Sequence, residues 1–124
     1  MYQSLALFQT ATAMARHAGA QQAVTSQNIA HADTPGYRAR QMHSFQEVHA
    51  RGRINGPLQT RQGHMGAHRA AAGASAAAGE PSPNGNSVSV EEQMLQAVDN
   101  ARTHKRALTI YRHALTVLRT TLSR

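Results

Sequence analysis

The chain has 124 residues, a formal charge of +7 and no cysteine; 40% of it is hydrophobic, but 23 residues are alanine and Leu, Ile, Val and Phe together number only 19. Burying a large side chain contributes roughly 1.5–3 kcal/mol, while ordering each backbone residue costs about 1–2 kcal/mol, so so few large residues do not order a compact monomer of this length. The numbers allow one domain at most and argue against a self-contained enzyme with a deep pocket, a disulfide scaffold, thiol catalysis and Cys-based zinc sites.

Residues 3–32 read as one long helix. Proline is absent, alanine is abundant, and apolar or small residues recur at Leu5, Phe8, Thr12, Ala15, Gly19 and Ile29, with Gln22 and Ser26 interrupting the stripe. Leu5-Ala6-Leu7-Phe8 is too short an apolar run for a signal peptide and no basic residue precedes it, so export would use no conventional cleaved signal. No run approaches the ~20 apolar residues of a membrane span. The helix should stop near Ala32 or Asp33, because Thr34 precedes a proline and is pushed out of helical space. Pro35 and Gly36 suit the two central positions of a type II turn. Asp33 is expected to bond the amides the turn leaves open, and Tyr37 to fold back on the helix end.

The segment 38–65 is basic and bears histidines, with scattered anchors at Met42, Phe45, Val48, Ile54, Leu58 and Met65; a short helix or hairpin is expected there. Residues 66–87, GAHRAAAGASAAAGEPSPNGNS, read as a flexible low-complexity linker. The last helix is the clearest element. Ser89-Val90-Glu91-Glu92 is a capping box, in which Ser89 accepts from an amide of the first turn and Glu92 reaches back. From there a three-four spacing runs through Val90, Met94, Ala97, Ala101, His104, Leu108, Tyr111, Leu115, Leu118 and Leu122, the pattern of a packed helical seam. Its partner is either the N-terminal helix or another subunit. His104 reads as an interfacial polar residue.

Specific chemistries find little support. His64 and His68 are four apart, but Gly63 and Gly66 weaken any helix that would align them, and no HExxH occurs. No nucleophile elbow or phosphate loop is visible. No catalytic, cofactor-binding or metal-ligating residue is therefore expected, and no small-molecule substrate. Twelve arginines permit non-specific binding to phosphate, yet with no Trp, two Phe and three Tyr the stacking platforms are sparse. A small basic nucleic-acid-associated protein is the rival reading.

The run Asn28-Ile29-Ala30-His31-Ala32-Asp33-Thr34-Pro35-Gly36-Tyr37 resembles the signature that closes the first helix of the bacterial flagellar rod and hook proteins, A-N-N/I-A-N-x-x-T-P-G-Y. Gly85-Asn86-Ser87-Val88 followed by Glu91-Glu92-Gln93-Met94 is similar to the G-N-x-V…E-M opening of the last helix in proximal rod members, and Ala97–Arg102 continues the likeness. Thr60 and His64-Met65 weakly match a T-x-x-x-H-I stretch between them. His31 stands where a second asparagine is usual, and His104 where an aromatic residue is common. The resemblance implies a non-enzymatic structural subunit, exported unfolded by the flagellar type III apparatus and assembled in the periplasmic rod of the basal body. Its implied partners are other rod proteins, copies of itself, the adaptor protein FliE and the export gate, without nucleic acid and without a membrane-spanning segment. The expected architecture is mainly α: an N-terminal helix and Pro-Gly turn (1–37), an irregular middle (38–87), and a C-terminal helix (88–124) packing on 1–37 as a coiled-coil-like α-domain.

Overall fold

The computed structural model describes residues 2–50, 74–77 and 79–122. The elements are α1 (Tyr2–Ala30), β1 (Arg40–Gln41), α2 (Phe45–Ala50), β2 (Ser75–Ala76) and α3 (Val90–Leu122). The fold is mainly helical, with two long helices packed on each other. The His64–His68 pair, Thr60, Met65, Ile54, Leu58, the side chain of Leu5 and the first half of the low-complexity tract lie outside the described residues.

Both ends of α3 follow local rules. Ser89 precedes the first helical residue, its hydroxyl accepts from the Glu92 amide (3.4 Å) and its carbonyl from Gln93 (3.0 Å). Only this half of the capping box forms; the Glu92 carboxylate makes no return bond to Ser89. Glu91 and Glu92 in the first turn and Arg119 in the last complement the helix dipole.

The helices run antiparallel. Asn28 meets Gln93, Thr25 meets Asn100 and Phe8 meets Tyr111. Stepping by sevens from the Thr25–Asn100 bond brings Ala18 level with Ala107 and Ala11 level with Ala114, and all four alanines are buried. On α1 the inward face is therefore Ala11, Met14, Ala18, Gln21, Thr25 and Asn28, and on α3 it centres on Gln93, Asn100, Ala107 and Ala114.

This face is rotated from the stripes expected on hydrophobicity. On α1, Gly19 and Ile29 are exposed, and nothing lies within 4 Å of a Cβ built on Gly19. On α3, Val90, Met94, Ala101, His104, Leu108, Tyr111 and Leu122 are exposed, while Ala97, Leu115 and Leu118 are half-buried. His104 is thus not interfacial within the chain. The reason is steric and polar together. Small residues let two helix backbones approach closely, and the buried amides of Asn28 and Asn100 are tolerable only with partners that the inward positions supply. Among the described residues no buried side-chain polar atom lacks a partner.

The described parts of the middle, 38–50, 74–77 and 79–87, hold more order than their composition implies. β1 and β2 pair antiparallel, Arg40 opposite Ala76 and Gln41 opposite Ser75. The tail of the tract, residues 79–87, is not a free linker: Asn86 is 3% exposed and packed against the end of α1. Ser44 begins α2, its hydroxyl accepting from the Glu47 amide and its carbonyl from Val48. The short helix docks on α1 through Phe45, whose ring lies 5.8 Å from that of His17.

Candidate functional site: an asparagine junction and the seam beside it

The helix α1 ends where Thr34-Pro35 forbids continuation, and two tight turns replace it. The Tyr37 amide donates to Thr34 O (3.3 Å), closing a turn with Pro35 and Gly36 at its centre. Gly36 has φ +72°, the left-handed value a type II turn requires at that position. Gly85 has φ +79°, and a Cβ placed on it would lie 3.3 Å from Gly36 Cα. Two glycines thus touch back to back, and the Gly36 amide donates to Asn84 O at 3.0 Å.

Asn28 is the hub of the junction, 1% exposed. Its Nδ2 donates to Arg40 O (2.7 Å) and to Gln93 Oε1 (2.9 Å); its Oδ1 accepts from the Arg40 amide (3.0 Å) and the Tyr37 hydroxyl (3.3 Å). A carboxamide has two donors and two acceptor lone pairs, and all four are used. One side chain thereby ties α1 to the turn, to β1 and to α3. Tyr37 folds back as its sequence position implies, stacking on His31 with centroids 4.6 Å apart. His31, at the position where asparagine is usual in the resembling family, also bonds Thr34 Oγ1 through Nδ1 (3.2 Å).

Asn86 rather than Asp33 closes the helix end, and it does so by donating to carbonyls, not by accepting from the open amides as expected of Asp33. Its Nδ2 lies 3.0, 2.6 and 2.9 Å from the carbonyls of His31, Ala32 and Thr34, groups stranded by the helix end. With only two hydrogens, it must share one between two of these oxygens. Its Oδ1 accepts from the Val88 amide (2.8 Å), fixing the approach to α3. Asp33 is exposed and makes no bond among the described residues. Ser87 completes the stitch: its amide donates to Tyr37 O and its hydroxyl accepts from the Ala39 amide.

Of the remaining motif residues, Ile29, Ala30 and Pro35 are exposed and contribute backbone geometry rather than contacts. Asn86, Gln93, Ser87 and Ala39 belong to the junction although helix and stripe reasoning does not single them out. The signal that could have found Asn86 is its place beside a positive-φ glycine just before a helix cap. Farther along the helix pair, Asn100 Nδ2 donates to Thr25 Oγ1 (3.2 Å) and its Oδ1 accepts from Gln96 Nε2 (3.0 Å). His17 is buried and its Nε2 bonds His43 O at 3.0 Å. Burial holds its pKa below the ordinary 6.5, opposed by that hydrogen bond.

Two hollows flank this framework. One of about 500 Å³ lies beside the junction, walled by Gln21, Gln41, Gln93, Gln96, Glu92 and Asp99 among others. It offers amide donors and acceptors without a nucleophile paired to a base. The second, about 200 Å³, is an apolar cleft between Ala11, Thr12 and Ala15 of α1 and Ala107, Leu108 and Tyr111 of α3. It is smaller than the ~300–1,000 Å³ of small-molecule sites, and suits a single inserted side chain. The expected α3 seam borders this cleft and continues beyond it as an exposed row. Among the described residues no group of three His, Cys, Asp or Glu could hold a metal.

Comparison with models of known protein families finds no match, and comparison with curated proteins finds none. The functional reading therefore rests on the residues themselves.

Proposed function

We propose that this chain is a structural subunit of the proximal rod of the bacterial flagellar basal body, the role FlgB has among the rod and hook proteins. It would transmit torque and link the membrane-embedded base and export gate to the rest of the rod, in the periplasm. Its partners would be other rod proteins, copies of itself and the adaptor protein FliE. Among the described residues no helix is long and apolar enough to cross a membrane.

One observation carries the reading. The two stretches that resemble the family signature, 28–37 and 85–94, lie far apart in the chain and interlock residue by residue. Asn28 bonds Gln93, Asn86 caps the carbonyls of His31, Ala32 and Thr34, and Gly36 touches Gly85. A motif split between chain ends is explained when its halves build one rigid corner. That corner sets the angle between a helix pair and whatever follows, as a repeating subunit needs. The apolar row left bare on α3 supplies the surface through which such a subunit contacts its neighbours, and a heterologous contact repeated without closure builds a tube.

The test is genetic and structural together. Deleting the gene in its source bacterium should abolish flagella and swimming, and the wild-type chain should restore both. Leu115→Asp places a charge in the seam and should fail to restore them while being produced and helical. Normal swimming in the deletion strain, or full rescue by Leu115→Asp, overturns the reading. Nanomolar DNA affinity at physiological salt would favour the rival nucleic-acid role instead.

A further inference from the structure

The exposed face of α3 is complementary to itself. Met94, Ala101, Leu108 and Leu115 repeat every seven residues and so form one column, and beside it Glu91, Val98, Lys105 and Arg112 form a second. Apart from Leu115, which is half-buried, these columns are the bare side of the helix: Met94 is 59% exposed, Val98 50% and Leu108 38%. Glu91, Lys105 and Arg112 make no ion pair among the described residues. Among the described residues the ion pair on this helix is Asp99–Arg102, at 3.6 Å.

The order of residues along the columns matters. Ala101 stands midway between Met94 and Leu108, seven residues from each. If a second α3 is laid antiparallel on this face with the two Ala101 residues crossing, Met94 of one copy comes level with Leu108 of the other. In the flanking column Glu91 then comes level with Arg112, and Val98 with Lys105. In an antiparallel helix pair, residues of the same flanking column adjoin, so these pairs fall on one side. Opposite charges meet at both ends, the lysine stem covers a valine, and the smallest side chain lies where the helices cross. The apolar cleft beside Leu108, with about 200 Å³ of room, receives Met94 of the second copy. Every contact except the central Ala101–Ala101 crossing occurs twice, from one copy to the other and back.

We infer that two free copies of this chain pair antiparallel through α3, about a two-fold axis at Ala101, with Glu91 of each copy against Arg112 of the other. Such an isologous contact closes on itself and does not propagate. The pairing is a property of the chain alone and stands whether or not it is a rod subunit. If it is one, the dimer covers the α3 row until assembly displaces it. A parallel pair would set the flanking columns on opposite sides and leave Glu91 without a basic partner, which is why the antiparallel arrangement is chosen.

The full chain lacks cysteine, so position-specific crosslinking tests the axis directly. Ala101→Cys should oxidise to a covalent dimer in high yield, whereas Arg106→Cys, on the far side of α3, should not. Sedimentation should show a monomer–dimer equilibrium that weakens with salt, since exposed charges are screened within about 10 Å at 0.1 M. Glu91→Arg and Arg112→Glu should each weaken the dimer about ten-fold, as expected for two surface pairs turned from attraction to repulsion. Mixing the two variants should restore wild-type affinity, because both contacts become attractive in the mixed dimer. Circular dichroism confirms that each variant keeps its helices. A chain monomeric at all concentrations, open oligomers of rising mass, equal crosslinking at both positions, or charge reversals without effect each overturn the inference.

Discussion

The two ends of the helix pair are held by different physics. At the Asn28 end, cohesion comes from saturated polar groups: every donor and acceptor of Asn28 is used, and Asn86 gathers three carbonyls. Toward the Phe8 end, cohesion comes from alanines that let the backbones approach and from one edge-to-face ring pair, Phe8–Tyr111, with centroids 5.1 Å apart. Hydrogen bonds lock one geometry, and their loss leaves orphaned buried groups. Alanine contacts are individually weak and tolerate sliding until something larger intrudes. The chain is therefore rigid at the corner and comparatively forgiving along the shaft.

The largest expected effect breaks the rigid end. Asn28→Ala strands the Arg40 amide and carbonyl, the Tyr37 hydroxyl and the Gln93 side chain, and should cost about 3–5 kcal/mol in urea unfolding. A loss below 1 kcal/mol would show that the corner is not where stability resides. Asn86→Ala should cost about 2–3 kcal/mol by uncapping three carbonyls, with its effect not additive with that of Asn28→Ala because the sites share the turn. On the shaft, Ala107→Leu should destabilise by about 1–3 kcal/mol through overpacking, although it adds apolar surface. A stabilising result would mean that the alanine face is loosely packed.

A smaller effect sharpens the comparison through pH. His17 binds its proton less readily folded than unfolded, because burial opposes the charged ring. Its contribution is complete above the ordinary value of 6.5 and is lost as pH falls through 6.5 toward the lowered folded value. The groups around it are the exposed His43–Glu47 pair (3.4 Å) and His49 beside Phe45, on the α2 side. Thermal midpoints should drop between pH 7.5 and 5.5, and His17→Gln should reduce that drop. The smallest effect is on the bare face: Met94→Gln should change the stability of the dilute monomer by less than about 0.5 kcal/mol.

How much of this could be read in the sequence depends on how local its cause is. The end of α1 and the start of α3 were legible because Thr34-Pro35 and Ser89 act on their own neighbours. The Pro35-Gly36 turn and the return of Tyr37 were legible for the same reason. The face between the helices was not. Ranking side chains by hydrophobicity points to Leu108, Tyr111 and Leu122, but a close helix pair selects for smallness and for amides that find each other across the gap. Nothing in one helix reveals that Thr25 will meet Asn100. The resemblance marked the stretch around Asn86, but its capping role was hidden, because it lies in a tract whose composition reads as solvent-exposed, beside Gly85, where the backbone turns sharply. The two-residue strands β1 and β2 carry too short an alternation to register as a pattern.

One feature of the corner bears on solubility. Asn28 takes both the amide and the carbonyl of Arg40, the residue of β1 whose backbone groups point away from β2. A side-chain amide thus stands where a third strand would add, and the ribbon has no vacant edge on that side. Chains that must wait in extended or partly assembled states are exposed to strand-by-strand aggregation at such edges. Here a single carboxamide closes that route, and Asn28→Ala should open it, so that the unstable variant also becomes an adhesive one.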